Sequence, residues 1–350
     1  MSFKKLNSED FVFDFESVAA PMWSNYSSSL TSFYSSSAQQ TSISGKYSID
    51  VFNIDPTTTS SAQIQFSIAY GDSQGSGSKW YNPTTPSQSP SRTVYRQFAN
   101  LLLGEDEKQQ LIDFGGGNGE TIGLFYAIVI DRAHYKQAIM PGSFQIRGLA
   151  APNVYITDNS RITSTVEYTP AGRRYTLGSG SFGDGITPSD VIAGNRGVYG
   201  YLYPDVGIIL LNPFAAFYPP LWIQIPFGPP LINSIWKRSF NENDNNPERL
   251  RKQLQLTGEF DLQSQETIPS NYIFCRAQNH EFNFSTKPNF LASTRYSTSS
   301  LNEVIETPPT YITSVGLYND TNDLIAVAKL SKPLKKDFTS EALIRVKLDF

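Results

Sequence analysis

Alternating apolar and polar positions dominate this sequence from about residue 46 to its end. In residues 62–70 every second position is apolar, which is the two-residue period of a half-buried β-strand. Residues 124–130 are apolar or aromatic throughout, as in a strand that is buried on both faces. Further strands are predicted near residues 47–52, 144–149, 153–157, 165–169, 173–178, 198–203, 206–211, 257–262, 271–277, 280–285, 311–317, 323–330 and 342–349.

Two stretches have the spacing of an α-helix instead. Residues 92–103 place apolar side chains three and four positions apart, between Ser91 as a suitable N-cap and Gly104 as a suitable end. Residues 247–256 are rich in charge, and Pro247 suits the first turn of a helix. The sequence therefore predicts a mainly β protein, a β-sandwich or barrel-like domain or domains, with two or three short helices.

The first 45 residues are predicted to form an extended N-terminal arm. Phe11, Phe13 and Phe15 stand at alternate positions, and serine tracts follow that Phe33 and Tyr34 interrupt. Serine tracts alone favour a flexible tail, whereas aromatic residues within them favour a segment that orders on a partner. The predicted organisation is an arm over residues 1–45, a main β domain over 46–240, and a C-terminal β portion over 241–350 that packs on it.

Composition limits the class of partner. Charged residues make up 17% of the chain, against about 25% in typical soluble proteins, and aromatic residues make up 13%. This low charge favours a surface that is partly covered by other protein. The 28 basic and 32 acidic residues give a net charge of −4, so there is no basic excess to neutralise nucleic-acid phosphates and no nucleic-acid partner is predicted.

Cysteine and histidine are too scarce for most metal centres. Cys275 is the single cysteine of the chain, so an intramolecular disulfide and a thiolate zinc cluster are both excluded. His134 and His280, the two histidines, cannot build a multi-histidine site alone. The sequence predicts no metal site and no cofactor.

Motifs that resemble catalytic or phosphate-binding signatures lack the context that their chemistry needs. Residues 178–183 match a glycine-rich phosphate loop, but another turn follows where a helix is required. Residues 114–119 lack the lysine and hydroxyl of a P-loop. Asp131 and His134 have no recognisable nucleophile to act with. We therefore predict no catalytic residues and no enzymatic activity.

Residues 206–236 contain no charged side chain. The length would suit a membrane span, but six prolines in this segment remove too many backbone hydrogen bonds for a helix in lipid. Its aromatic residues are typical of interface cores, and a role in the protein's own core is an equally good interpretation. The sequence thus predicts no membrane span here. It does not decide whether these aromatic residues belong to the protein's own core or to an interface with a partner.

Several blocks of the sequence together indicate a known family. The most specific are Tyr311–Asp320, Leu324–Pro333 and Ala342–Phe350, and shorter ones lie at Tyr47–Asp55, Pro90–Leu103, Phe125–Pro141 and Tyr199–Leu210. They resemble virion structural proteins of tailed phages, and in particular those of T4-like cyanophages, and the resemblance covers most of residues 45–350. The arm and the uncharged segment depart from the family pattern. The resemblance implies a bacteriophage baseplate or tail component in the virion, assembled in the host cytoplasm, with no known catalytic residues.

The leading hypothesis is a non-enzymatic structural subunit that binds other virion subunits, or copies of itself, through arm, loops and apolar surface. The residues predicted to contribute to this assembly interface are aromatic: Phe13, Trp23, Phe33, Tyr34, Trp80, Phe217, Trp222, Phe227 and Trp236. The alternative is a receptor-binding tail protein whose exposed aromatic side chains contact a host surface glycan. A polysaccharide hydrolase is a third hypothesis, which needs two converging carboxylates, and no pair stands out in the sequence.

Overall fold

A computed structural model describes most of the chain, with several gaps. The described residues are 3–41, 47–73, 91–104, 112–115, 123–147, 149, 154–164, 166–186, 197–213, 246–284 and 309–349. The structure is 47% strand and 14% helix, with three short helices. The prediction of a mainly β protein is therefore confirmed.

The strands and helices are numbered in chain order. The strands are β1 (Phe11–Pro21), β2 (Ser29–Leu30), β3 (Ser48–Phe52), β4 (Ile64–Asp72), β5 (Leu124–Ile130), β6 (Ala138–Ile139), β7 (Gln145–Arg147), β8 (Tyr155–Asp158), β9 (Glu167–Thr169), β10 (Gly172–Ser179), β11 (Gly200–Tyr203), β12 (Ile208–Leu211), β13 (Phe260–Asp261), β14 (Gln263–Ala277), β15 (Thr310–Tyr318), β16 (Leu324–Lys336) and β17 (Ala342–Asp349). The helices are α1 (Ser37–Thr41), α2 (Ser91–Leu103) and α3 (Asn246–Thr257).

The chain divides into two compact units. The larger unit runs from Val18 to Glu266, and the smaller unit combines Met1–Ser17 with Thr267–Phe350. This division differs from the predicted boundaries at residues 45 and 240, because β1, near the start of the chain, pairs with the distant strand β14. Pairing between such distant segments leaves no local signal in a sequence.

The larger unit is built on one large antiparallel sheet. Its strand order is β2-β13-β7-β8-β10-β11-β12-β5-β4-β3, and β9 pairs with β10. The sheet curls, and the segment after β2 meets β3, the last strand in the order. At that point the backbone N–H of Tyr34 donates to the carbonyl of Phe52 at 2.9 Å, and the reverse bond is 2.8 Å. This two-way bridge joins the two ends of the strand order.

One face of this sheet forms the main core. A row of buried side chains crosses five neighbouring strands, from Ile68 through Ile128, Ile209 and Leu202 to Tyr175. Each pair is directly opposite in the strand register, so the residues lie on the same face. The alternation seen in the sequence thus becomes a continuous apolar layer, as the two-residue period requires.

The two longer helices match the predicted positions. In α2 the buried Tyr95 packs against Phe125 of β5, with ring centroids 5.3 Å apart. In α3 the buried Leu250 and Leu254 join the main core. Both helices therefore bury an apolar stripe against the sheet, which is the main source of helix stability in a globular protein.

The smaller unit combines a sheet with a separate hairpin. Strand β14 lies between β1 and β17, while β15 and β16 form the hairpin. Ile273 of β14 is paired with Val346 of β17, and both join a small cluster with Leu317 of the hairpin. This cluster is the apolar core of the smaller unit.

Candidate functional site

The structure gives different surroundings to the four predicted interface residues that it describes. Trp23 and Phe33 are 2% and 0% exposed and belong to the core of the larger unit. The Nε1 of Trp23 donates to the carbonyls of Ser28 and Phe260, each at 3.1 Å. Tyr34 is 37% exposed and Phe13 is 73% exposed. The burial that Trp23 and Phe33 require is therefore supplied within the chain, whereas Phe13 and Tyr34 present free ring surface.

The other five predicted interface residues lie outside the described residues. They are Trp80, Phe217, Trp222, Phe227 and Trp236. Of the uncharged segment, residues 206–213 are described, and Ile208–Leu211 form β12 within the larger sheet.

The clearest unpartnered surface is on strand β1, where Phe11, Phe13 and Phe15 form what we call the phenylalanine row. Their side chains are 38%, 73% and 71% exposed. They stand at alternate positions of one strand and therefore project on the same side of the sheet. Strand β1 is the outermost strand next to β14. An exposed apolar edge strand of this kind is a ready template for pairing with another chain.

The side of the sheet opposite the phenylalanine row is charged. Glu16, between Phe15 and Ser17, accepts a hydrogen bond from the ammonium group of Lys347 on β17. Lys347 also lies 3.2 Å from Asp349. The Glu16 carboxylate and then that of Asp349 raise the pKa of Lys347 above its ordinary value. A hydrogen bond of 2.7 Å from the Ser270 hydroxyl is the main cause that lowers the pKa of Asp349.

The other outer strand of the same sheet is β17, and its apolar and charged residues also project on opposite sides. Ile344, Val346 and Leu348 are partly or fully buried on the apolar side. Arg345 and Lys347 are exposed on the charged side, and the Arg345 guanidinium lies 5.2 Å from the ring centre of Tyr272. Both outer strands of the smaller unit therefore have one apolar side and one side that carries the charged residues. The second side also exposes one aliphatic side chain on each strand, Val12 on β1 and Leu343 on β17.

The hairpin adds further exposed apolar surface. Tyr311, Leu324, Ile325 and Val327 are between 53% and 67% exposed. At the turn, Asn319 Oδ1 accepts hydrogen bonds from the backbone N–H groups of residues 321 and 323, at 3.1 and 2.7 Å. This side chain closes the turn by replacing backbone hydrogen bonds. The turn of the hairpin is thus held by side-chain hydrogen bonds, and its strands expose apolar side chains.

Cys275 in the same sheet is poorly suited to nucleophilic chemistry. Burial, and secondarily the negative charge of Asp10, raise the pKa of its thiol. The thiolate is the reactive form of cysteine. Cys275 packs against the apolar cluster of Ile273, Leu317 and Val346.

A depression in the larger unit, with a volume of about 270 Å³, is lined by polar, aromatic and aliphatic residues that include Arg174, Tyr201 and Tyr203. Within it the Arg174 guanidinium lies 4.6 Å from the ring centre of Tyr201 and bonds to Glu167 at 2.8 Å. The Tyr201 hydroxyl donates to the carbonyl of Asp113 at 2.7 Å, and burial raises the pKa of Tyr201 to about 12. Each of these groups already has a partner within the chain. The arrangement is therefore better explained as packing of side chains than as a catalytic site.

The glycine-rich segment 178–183 is a turn at the end of β10. The backbone N–H of Ser179 donates to the carbonyl of Ile186 at 3.0 Å, and the reverse bond has the same length. The N–H of Gly183 donates to the Thr157 hydroxyl at 2.8 Å. These N–H groups are therefore already used within the protein.

Within the described ranges, no three histidine, cysteine, aspartate or glutamate side chains come together as metal ligands. None of the helices in those ranges combines the length and hydropathy needed to cross a bilayer. Comparison with protein-family models, curated proteins and solved structures finds no match to this chain.

Sequence reasoning missed the charged residues on the side of this sheet opposite the phenylalanine row. Phe13 was a predicted interface residue, but Asp14, Glu16, Arg345 and Lys347 were not. The alternation in residues 342–349 was a usable signal, because it separates an apolar side from a charged side. The missing information was that this strand shares a sheet with β1.

Proposed function

We propose that this chain is a non-enzymatic structural subunit of a tailed-phage virion, a component of the baseplate or tail. In this proposal the smaller unit supplies the surface that holds neighbouring subunits, and the larger unit is the body that carries it. The observation that supports the proposal most directly is the phenylalanine row on the outer strand β1.

The physical argument is the cost of leaving this surface in water. A phenylalanine side chain carries roughly 150–250 Å² of surface that can be buried, and burying apolar area stabilises by about 25 cal/mol per Å². Phe13 and Phe15 keep more than two thirds of their surface exposed. Contiguous apolar patches of this kind mark protein-binding surfaces. The row is therefore best explained by a partner that covers it.

The structure of the larger unit fits a supporting role. The bridge between Tyr34 and Phe52 joins the ends of its strand order. Its aromatic core includes Trp23, Phe66 and Phe260, with ring centroids 5.1–6.1 Å apart. A closely packed body of this type resists deformation, which a load-carrying subunit requires.

The test has two parts. Peptide mass spectrometry of purified virions should detect the chain as a particle component, and its absence from intact particles would overturn the proposal. In particles that lack the chain, Phe13→Asp should fail to restore assembly although the purified variant melts normally. A matched control is Tyr168→Asp on β9, because Tyr168 is equally exposed at 76% but lies in the larger unit. Equal assembly by both variants would contradict a contact role for the row.

A further inference from the structure

We propose that copies of this chain associate head to tail, with the outer edge of β1 in one copy pairing with the outer edge of β17 in the next. The inference rests on the proposed structural role and names the partner as a second copy of the same chain. Its basis is that the two outer strands of one sheet are complementary on both sides.

Both edges are open. In the sheet of the smaller unit the order is β1-β14-β17, and within the described residues no strand pairs beyond β1 or beyond β17. The eight residues of β17 from Ala342 to Asp349 pair with β14 on one side alone. A strand at the edge of a sheet presents backbone N–H and C=O groups that another strand can pair with.

The ion pair between Glu16 and Lys347 shows which residues share the charged side. Glu16 contacts Lys347, so the side chains at the alternate positions Asp14 on β1 and Arg345 on β17 lie on that same side. The charged residues of β1 on this side are the acids Asp14 and Glu16. Those of β17 are Arg345, Lys347 and Asp349, so the first edge is acidic and the second has a net positive charge.

The opposite side is apolar at both edges. Phe11, Phe13 and Phe15 project there from β1, and Val346 projects there from β17 with Ile344 and Leu348, since both sets alternate with the charged residues. If β1 joins β17 of another copy, phenylalanines meet aliphatic side chains on one side and acids meet bases on the other. Cross-strand neighbours of both kinds stabilise a sheet.

Symmetric pairing of like edges lacks this complementarity. Pairing β1 with β1 would place Asp14 and Glu16 of both copies together. Pairing β17 with β17 would bring together two edges of net positive charge, because Asp349 offsets only one of Arg345 and Lys347 in each copy. Like charges on neighbouring strands are destabilising. The head-to-tail arrangement avoids both clashes, and it produces a ring if the rotation between copies closes or a filament if it does not.

Asp14 and Arg345 are available for a contact between copies. Within the described part of the chain, neither side chain forms an ion pair. One carboxylate oxygen of Asp14 accepts the N–H of Phe15 at 2.8 Å, which leaves the other oxygen free. Arg345 lies over the ring of Tyr272, a contact that leaves the donors at the edge of its guanidinium group exposed.

The experiment is sedimentation analysis of the purified full chain over a range of concentrations, at low and at moderate salt. The wild type should form species larger than a dimer. Asp14→Lys and Arg345→Glu should each weaken association by roughly tenfold or more, since each turns an attraction into a repulsion. The double variant, or an equal mixture of the two single variants, should restore association, because a lysine at 14 then meets a glutamate at 345.

Lys329→Glu on β16 is the matched control, because it makes the same charge change at an exposed position of the smaller unit. It should associate as the wild type does. A wild type that stays monomeric up to its solubility limit, or that stops at a dimer, would overturn head-to-tail pairing. So would the absence of rescue in the double variant when all variants melt normally.

These outcomes are separate from those that test the structural role. A monomeric wild type that still enters particles would remove this inference and leave the proposed function standing. Association of the purified chain without its presence in particles would overturn the proposed function and leave head-to-tail pairing standing.

Discussion

The ammonium group of Lys336 donates a hydrogen bond of 2.8 Å to Oδ1 of Asn283, a residue 53 positions earlier in the chain. Lys336 is fully buried. Its two other hydrogen bonds go to the carbonyls of Asn279, at 3.1 Å, and Asp337, at 2.9 Å. A single lysine thereby ties the base of the hairpin to the turn that follows β14, and all three of its donors are used.

We expect Lys336→Met to destabilise the smaller unit. The substitution keeps much of the apolar stem but leaves buried acceptors without a donor, which costs about 1–3 kcal/mol for each group that water cannot reach. Thermal unfolding and amide hydrogen exchange across β15 and β16 would measure the loss. Lys335→Met is the control, because that side chain is 60% exposed, and little change is expected. Equal effects at both positions would contradict the role of the buried ammonium.

A second prediction concerns the buried ion pair of α3. The Arg251 guanidinium contacts both carboxylate oxygens of Glu248 at 2.7 Å, and both side chains are less than a tenth exposed. Arg251 also donates to the carbonyl of Phe33. Arg251→Met leaves the Glu248 charge buried, a change that costs about 3–5 kcal/mol. Urea unfolding would detect it.

The neighbouring Lys252 provides the control for this measurement. It lies 3.7 Å from the same carboxylate but is 66% exposed, so Lys252→Met should change stability by less than about 0.5 kcal/mol. If the two variants lose the same free energy of unfolding, burial of the Arg251–Glu248 pair is not the cause of the loss.

Much of the architecture was predictable because its signal is local. The apolar stripe of α2 and the two-residue period of β4 depend on residues a few positions apart, and the observed bounds differ from the predicted ones by one or two residues at most ends. The strand near 280–285 was predicted wrongly for residues 280–284, which form a turn, a bend and irregular backbone. There Asn283 donates its amide to the carbonyl of Asn279 at 2.6 Å, and such side-chain bonds compete with strand pairing.

The candidate surface was less predictable, because it depends on which strands become neighbours. Phe13 on β1 and Arg345 on β17 are separated by most of the chain, yet only β14 lies between their strands. The burial of Trp23 depends on Phe260 in the same way. Alternation shows that a strand has an apolar side, but it does not show whether this chain or another one covers it.

A third prediction concerns acid stability through Arg173 and Asp205. Burial alone would raise the pKa of Asp205, but hydrogen bonds from the Arg173 side chain and backbone, at 2.6 and 2.7 Å, hold it below its ordinary value. A lowered folded pKa means that the pair stabilises the fold above about pH 3.9, the pKa of a free aspartate. That contribution is lost as the pH falls through the lower folded value.

Asp205→Asn should therefore be less stable than the wild type at neutral pH, by about 1 kcal/mol for a pair whose side chains are 24% and 33% exposed. The difference should shrink as the pH falls below about 4. Urea unfolding at a series of pH values would measure it. A difference that stays constant or grows in acid would mean that the ion pair is not its source.

The last prediction asks whether the phenylalanine row is surface or core. Phe13 and Phe15 are more than 70% exposed, so the double variant Phe13→Ser, Phe15→Ser should change the free energy of unfolding by less than about 1 kcal/mol. Binding of a dye that reports exposed apolar surface should fall. Trp23→Ala is the contrast, because Trp23 is buried against Phe260 and its truncation should cost about 3–5 kcal/mol. If the double variant unfolds as easily as Trp23→Ala, the row belongs to the core of the smaller unit, and the proposed assembly surface loses its strongest support.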